Sequence, residues 1–145
     1  MKNLLGFILL PAAILLVGLL ARSMNAETIG PHGGKVQRAD NYFIEMKRTN
    51  LIVHAYLLDR KQAPLGNRNL SCQAWLYYPD STIYPLGMSA QGPDGFFGIV
   101  PDTYYTSIVI MFNADGKHVS ATFENTKLVV QFIRKHETTG LLAEN

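Results

Sequence analysis

The sequence predicts an exported all-β protein: an antiparallel β-sandwich of the immunoglobulin-like kind, with about seven strands, preceded by an N-terminal apolar helix. Three observations carry this. Short segments of aromatic and β-branched residues recur from Val36 onward. Turn-forming residues separate them about every ten positions, the spacing of sandwich strands. Ahead of them, "LLGFILLPAAILLVGLLA" at residues 4–21 is apolar without interruption and follows a single basic residue, Lys2.

The apolar run comes first in the chain. It has the basic start and apolar centre of an export signal, and also the ~18 residues a segment needs to span a bilayer. Ala21-Arg22-Ser23 offers small residues for cleavage, and Met24-Asn25-Ala26 is a second, bulkier candidate. Retention as an anchor is the other outcome. Lys2 stays on the cytoplasmic side under the positive-inside rule, so everything beyond Arg22 is exported to the periplasm. The expected division is a signal peptide or membrane anchor at 1–26, a sandwich at 27–135 and a flexible tail at 136–145.

The strands follow in order. "NYFIEMK" (Asn41–Lys47) is a short run of strand-favouring residues, and "RTN" turns the chain. In "LIVHAYLLD" (Leu51–Asp59), Leu51, Val53, Ala55 and Leu57 make one face; His54 and Tyr56 make the other. That alternation is the mark of a half-buried strand. "DRKQAPLGNRN" is a loop, broken by Pro64 and Gly66. "SCQAWLYY" (Ser71–Tyr78) is a strand with Cys72, Ala74 and Leu76 on one side and Trp75 and Tyr77 on the other. "TIYPLGM" (Thr82–Met88) returns beside it, and Pro85 assigns it to a sheet edge. "QGPDG" is a turn into "FFGIV". "YYTSIVIMF" (Tyr104–Phe112) has the strongest strand signal, and "NADG" supplies the Asp-Gly of a tight hairpin turn. "KHVSATF" (Lys117–Phe123) closes the set. "TKLVVQFIRKH" (126–136) has apolar residues at both parities, which favours a strand over a helix, and "ETTGLLAEN" should fray.

Composition narrows the function. The one cysteine, Cys72, rules out an internal disulfide framework. About 120 exported residues can bury about two-thirds of their unfolded surface, enough for one unstapled domain. The net charge of +2 is scattered, with no basic stripe, so nucleic acid is not an expected partner. The serines lack a nucleophile-elbow context, and Asp59, Asp80, Asp94 and Asp115 stand in turns where they bond local backbone. The expectation is a protein that is not an enzyme, with a hydrolase a distant alternative.

The candidates for binding are few. Of four histidines, none is paired at i, i+4 or H-x-H spacing. His32, in "GPHGG", has the freest imidazole, because Pro31 stiffens its approach and two glycines follow. His54 and His118 fall on outward strand positions. A metal site at His32 must recruit Glu45, His54, Met46 or His118 through folding; the set taken here is His32, Glu45 and His54. Copper or zinc, weakly held, suits such donors. Trp75 and Tyr77 form an aromatic pair that binds a protein partner if their face is exposed, and fills the interior if it is not.

"GPHGG" (30–34), "YFIE" (42–45), "YLLD" (56–59), Pro64 and "DGKHVSATF" (115–123) together resemble a known domain. It is the small exported β-domain found alone in periplasmic proteins and attached to adaptor subunits of heavy-metal efflux pumps of the resistance-nodulation-division class. Phe43 stands where that family often has a second histidine. The resemblance implies a non-catalytic domain of cation efflux or envelope metal handling, acting by weak metal contact at His32 or by docking to a pump or other envelope protein. A metal-independent interaction module is the alternative.

Overall fold

Alternation along each strand sorts its side chains between an interior and an outer face, and the interior set is what brings two sheets together. The computed structural model describes residues 28–126. Nine strands follow in chain order: β1 Lys35–Ala39, β2 Tyr42–Thr49, β3 Ile52–Leu58, β4 Leu70–Tyr77, β5 Ile83–Leu86, β6 Ser89–Gln91, β7 Gly95–Ile99, β8 Ser107–Ala114 and β9 Lys117–Glu124. They pair antiparallel throughout, as a five-stranded sheet in the order β1-β2-β3-β7-β6 and a four-stranded sheet in the order β5-β4-β8-β9. The predicted all-β, two-sheet architecture is present.

The core lies between the sheets. Ile44 and Met46 from β2 and Val53, Ala55 and Leu57 from β3 meet Cys72, Ala74 and Leu76 from β4. Ile108, Ile110 and Phe112 from β8 and Val119, Ala121 and Phe123 from β9 complete it. Phe96 of β7 meets Phe112 edge to face at 5.7 Å. Each large apolar side chain buried this way contributes about 1.5–3 kcal/mol. Burial also pushes the Cys72 thiol up to about 12, so it is an inert core group.

Several details differ from the sequence expectation. Among the described residues there are nine strands rather than about seven. One addition is β1, which forms a hairpin with β2 through Asp40 at positive φ. The other is β6, beyond the predicted arm: β5 falls within Thr82–Met88 and pairs with β4 on the edge of the four-stranded sheet as expected, and past Met88 the chain enters the other sheet as β6. Leu51 does not share the buried face of Val53. It sits in the turn after Asn50, before β3 begins, and is exposed. β8 starts at Ser107 rather than Tyr104. The Asp115–Gly116 turn has the expected positive φ angles, 50° and 78°. Pro85 lies on the edge strand β5.

Among the described residues no helix is long and apolar enough to cross a membrane. The apolar run at 4–21, most of the 126–136 segment and the tail at 137–145 lie outside the described residues.

Candidate functional site

Glu45 alternates with the inward-facing Ile44 and Met46, so its carboxylate belongs on the outer, solvent side of β2. Yet its exposure is 0%. The cover is the segment "GPHGG". Thr28–Val36 folds as a narrow hairpin, with an Ile29–Lys35 bridge and Val36 N–H bonded to Thr28 C=O. Its tip closes through Gly33 N–H to Gly30 C=O and Gly30 N–H to Gly34 C=O, with Pro31 in the position whose φ it presets. A Cβ on Gly30 would land on the Glu45 carboxylate, and one on Gly34 would strike the Met46 carbonyl. Those two glycines let the turn lie directly on the sheet.

The turn satisfies the carboxylate. Glu45 Oε1 accepts from the backbone N–H of His32 (2.9 Å) and of Gly34 (2.7 Å), and Oε2 pairs with His32 Nδ1 at 3.0 Å. A carboxylate fully withdrawn from water costs several kcal/mol unless its lone pairs are used, and three donors use them here.

The imidazole is held at both ring nitrogens and on one face. Its Nε2 faces Asp94 Oδ2 at 3.2 Å, and its ring stacks on Tyr56 at 3.6 Å with planes 3° apart. Tyr56 stands beside Glu45 in the β2–β3 register, and Gly95 follows it on β7. Burial, then the Asp94 and Glu45 charges, raise the Tyr56 phenol above its ordinary range, so the platform stays neutral. Asp94 is held in turn: the β6–β7 turn is pinned by Asn67, whose amide donates to Gly92 and Gly95 carbonyls and whose N–H bonds Pro93.

The chemistry follows from the ring's two ends. With Nδ1–H given to Glu45, a neutral imidazole would turn an Nε2 lone pair toward the Asp94 carboxylate. Two electron-rich atoms at that distance call for a positive particle between them, a proton or a metal cation. This edge is partly open, with His32 and Asp94 side chains 24% and 25% exposed.

The sequence-derived residues are distributed as follows. His32 and Glu45 meet directly. His54 lies farther along β3, with Nδ1 bonded to Gln91 at 2.9 Å. Met46 faces the core, and His118 is exposed on β9 of the other sheet. Among the described residues no group of three or more His, Cys, Asp or Glu side chains is placed to hold a metal. Trp75 and Tyr77 lie on the outer face of the four-stranded sheet, with Pro85 beside Trp75 and the exposed Ile83 beside Tyr77.

Sequence reasoning misses Asp94 and Tyr56. Asp94 reads there as a turn-former, as Asp59 and Asp80 are, and nothing local in "QGPDG" signals a partner 62 residues away. Comparison with family models, with curated proteins and with solved structures finds no match for this chain.

Proposed function

We propose that this chain is a non-catalytic, exported accessory module of heavy-metal efflux or envelope metal handling, in which His32 and Asp94 form a weak, exchangeable cation contact. The observation that carries the reading is the division of labour around the imidazole. A carboxylate that takes one ring nitrogen and orients the other outward is the usual support of a metal-ligating histidine. Glu45 supports the ring from behind, and Nε2 with Asp94 forms the open edge. Their 3.2 Å separation falls between the ~2.9 and ~3.4 Å expected for neighbouring ligands at square and tetrahedral angles around zinc or copper. Two donors are too few for a structural or catalytic zinc site, so the contact is labile.

The export signal at residues 4–21, cleaved or kept as an inner-membrane anchor, supports a periplasmic location, and the P-H-G-G resemblance supports a pump-associated setting. The strand orders β2-β3-β7-β6 and β4-β8-β9 support the immunoglobulin-like reading, with β1 and β5 as additions. The test is calorimetric titration of the full chain in detergent with Cu(II), Zn(II) and Cu(I). We expect micromolar or weaker binding, reduced by His32→Ala and by Asp94→Asn. Absence of heat with every metal sinks the metal reading.

A second reading, a metal-independent envelope interaction module, is favoured by the exposed Tyr77 and Ile83 beside Trp75. It gains if no metal binds and if Tyr77→Ser, with folding intact, disrupts association with envelope components.

A further inference from the structure

Each edge strand of an open sheet leaves a row of main-chain N–H and C=O groups facing outward. Three of the four edges here are blunted. β1 has its outward Val36 N–H taken by Thr28 C=O, β5 is four residues long and carries Pro85, and β6 is three residues long. β9 is the exception: eight residues, Lys117–Glu124, with no proline and an unbroken register to β8. Among the described residues no strand pairs with its outer side.

The β8–β9 hairpin fixes which groups face out. Ala114 and Lys117 flank its two-residue turn, and a turn with positive φ at both centres closes on a hydrogen-bonded pair. The ladder therefore commits the N–H and C=O groups of Lys117, Val119, Ala121 and Phe123 to β8, and the Asn125 N–H continues that series to Thr106 C=O. Those of His118, Ser120, Thr122 and Glu124 point to the open edge, and all four residues are exposed. Val119, Ala121 and Phe123 stay on the dry face.

We propose that β9 is a self-pairing edge: two copies of the chain join β9 to β9, antiparallel, about a two-fold axis at Ala121. The register must set dry face beside dry face, which requires facing residues of equal parity. Centring on Ala121 sets His118 opposite Glu124, and Ser120 opposite Thr122, of the second copy. Each of these pairs exchanges two main-chain hydrogen bonds. Centring on Ser120 or Thr122 leaves one of the four outward residues beyond the facing strand. The side chains agree with the first register: an imidazole meets a carboxylate at both ends, hydroxyls meet between them, and no like charges face each other. Such an interface is isologous, the common form of a two-fold dimer. It belongs to the four-stranded sheet, whereas the His32 cluster lies on the five-stranded one, so the dimer stands without the metal reading.

The test is sedimentation equilibrium of the full chain in density-matched detergent micelles. We expect a concentration-dependent equilibrium between monomer and dimer. His118→Glu sets two carboxylates face to face at both ends and should weaken the dimer about tenfold. Glu124→Lys should weaken it as well. Combining the two changes restores an opposite-charge pair at each end and should return the affinity to within about threefold of the unaltered chain's. Positions 118 and 124 are about 20 Å apart along one strand, so only pairing between copies can give that rescue. Ser120→Pro keeps the ladder to β8, because this N–H faces outward, and should leave the chain monomeric. A monomer at every concentration, a dimer unaffected by Ser120→Pro, or no rescue in the combined variant would each overturn the proposal. If Ser120→Pro does not fold, the charge exchange at the two exposed positions decides.

Discussion

Glu45 shows how a single residue can be misplaced by its own alternation. Parity puts its carboxylate on the solvent side of β2, and only the turn lying over it makes the site buried. Glu45→Ala would strand the His32 and Gly34 N–H groups beneath that turn. We expect a loss of about 2–5 kcal/mol, the cost of leaving those two N–H groups without an acceptor, measured by urea unfolding. In a double-mutant cycle with His32→Ala, the two changes should fall short of additivity by about 1–3 kcal/mol; strict additivity would mean the contact carries no coupling. At this scale the sequence was half legible. "GPHGG" points to His32 because the motif is local, and Glu45 enters only as one of several side chains that a site at His32 would have to recruit through folding. Asp94 and Tyr56 do not follow, because strand register and a turn from another hairpin bring them there, and neither leaves a mark in its own neighbourhood.

At the scale of elements, the turn at residues 30–34 is fitted to β2 by the missing side chains of Gly30 and Gly34. Gly30→Ala and Gly34→Ala should each cost about 1–3 kcal/mol, as overpacking does, and should expose the Glu45–His32 pair to solvent. Faster exchange of the position-34 amide in the Gly34→Ala variant than in the unaltered chain, with β8 amides unchanged, would report this. Thermal stability unchanged in both variants would mean the turn does not sit on the sheet as described. Strands with clear alternation, β4, β8 and β9, were legible because one face of each is drier than the other. Boundaries were lost where the chain changes sheets. Nothing in Ser89–Gln91 signals a short strand on the opposite layer beyond the arm Thr82–Met88, and Leu51 looks like a strand residue until the turn at Asn50 is seen.

Across the whole molecule, the groups with clearly shifted ionisation point mainly one way. Burial raises the Cys72 thiol from 9.0 to about 12, and raises the Tyr56, Tyr78 and Tyr105 phenols, the last against the lowering effect of Arg48. Each of these acids keeps its proton more firmly in the folded chain. Their stabilisation is therefore complete below the unfolded pKa values and is lost as pH rises through the folded ones. Asp80, exposed and lowered mainly by its bond to the Thr82 backbone, acts at the other end, and its small contribution is lost as acid protonates it. We expect chemical-denaturation stability to decline from about pH 9 upward, and Cys72→Ala to flatten part of that decline; a flat profile between pH 9 and 11 would contradict it. The pairing of His32 with Asp94 has a further consequence, in time rather than in energy. It joins positions 62 residues apart, and Asp94 reaches the imidazole only after β7 has docked on β3 and β6 on β7. A contact that requires three strands already in register belongs to the last events of folding. Removing it should leave the refolding rate nearly unchanged and release its effect on the way out. In stopped-flow chevrons, a destabilisation of about 1.4 kcal/mol by His32→Ala should appear as about tenfold faster unfolding, making this clasp the brake that sets how long a folded copy lasts.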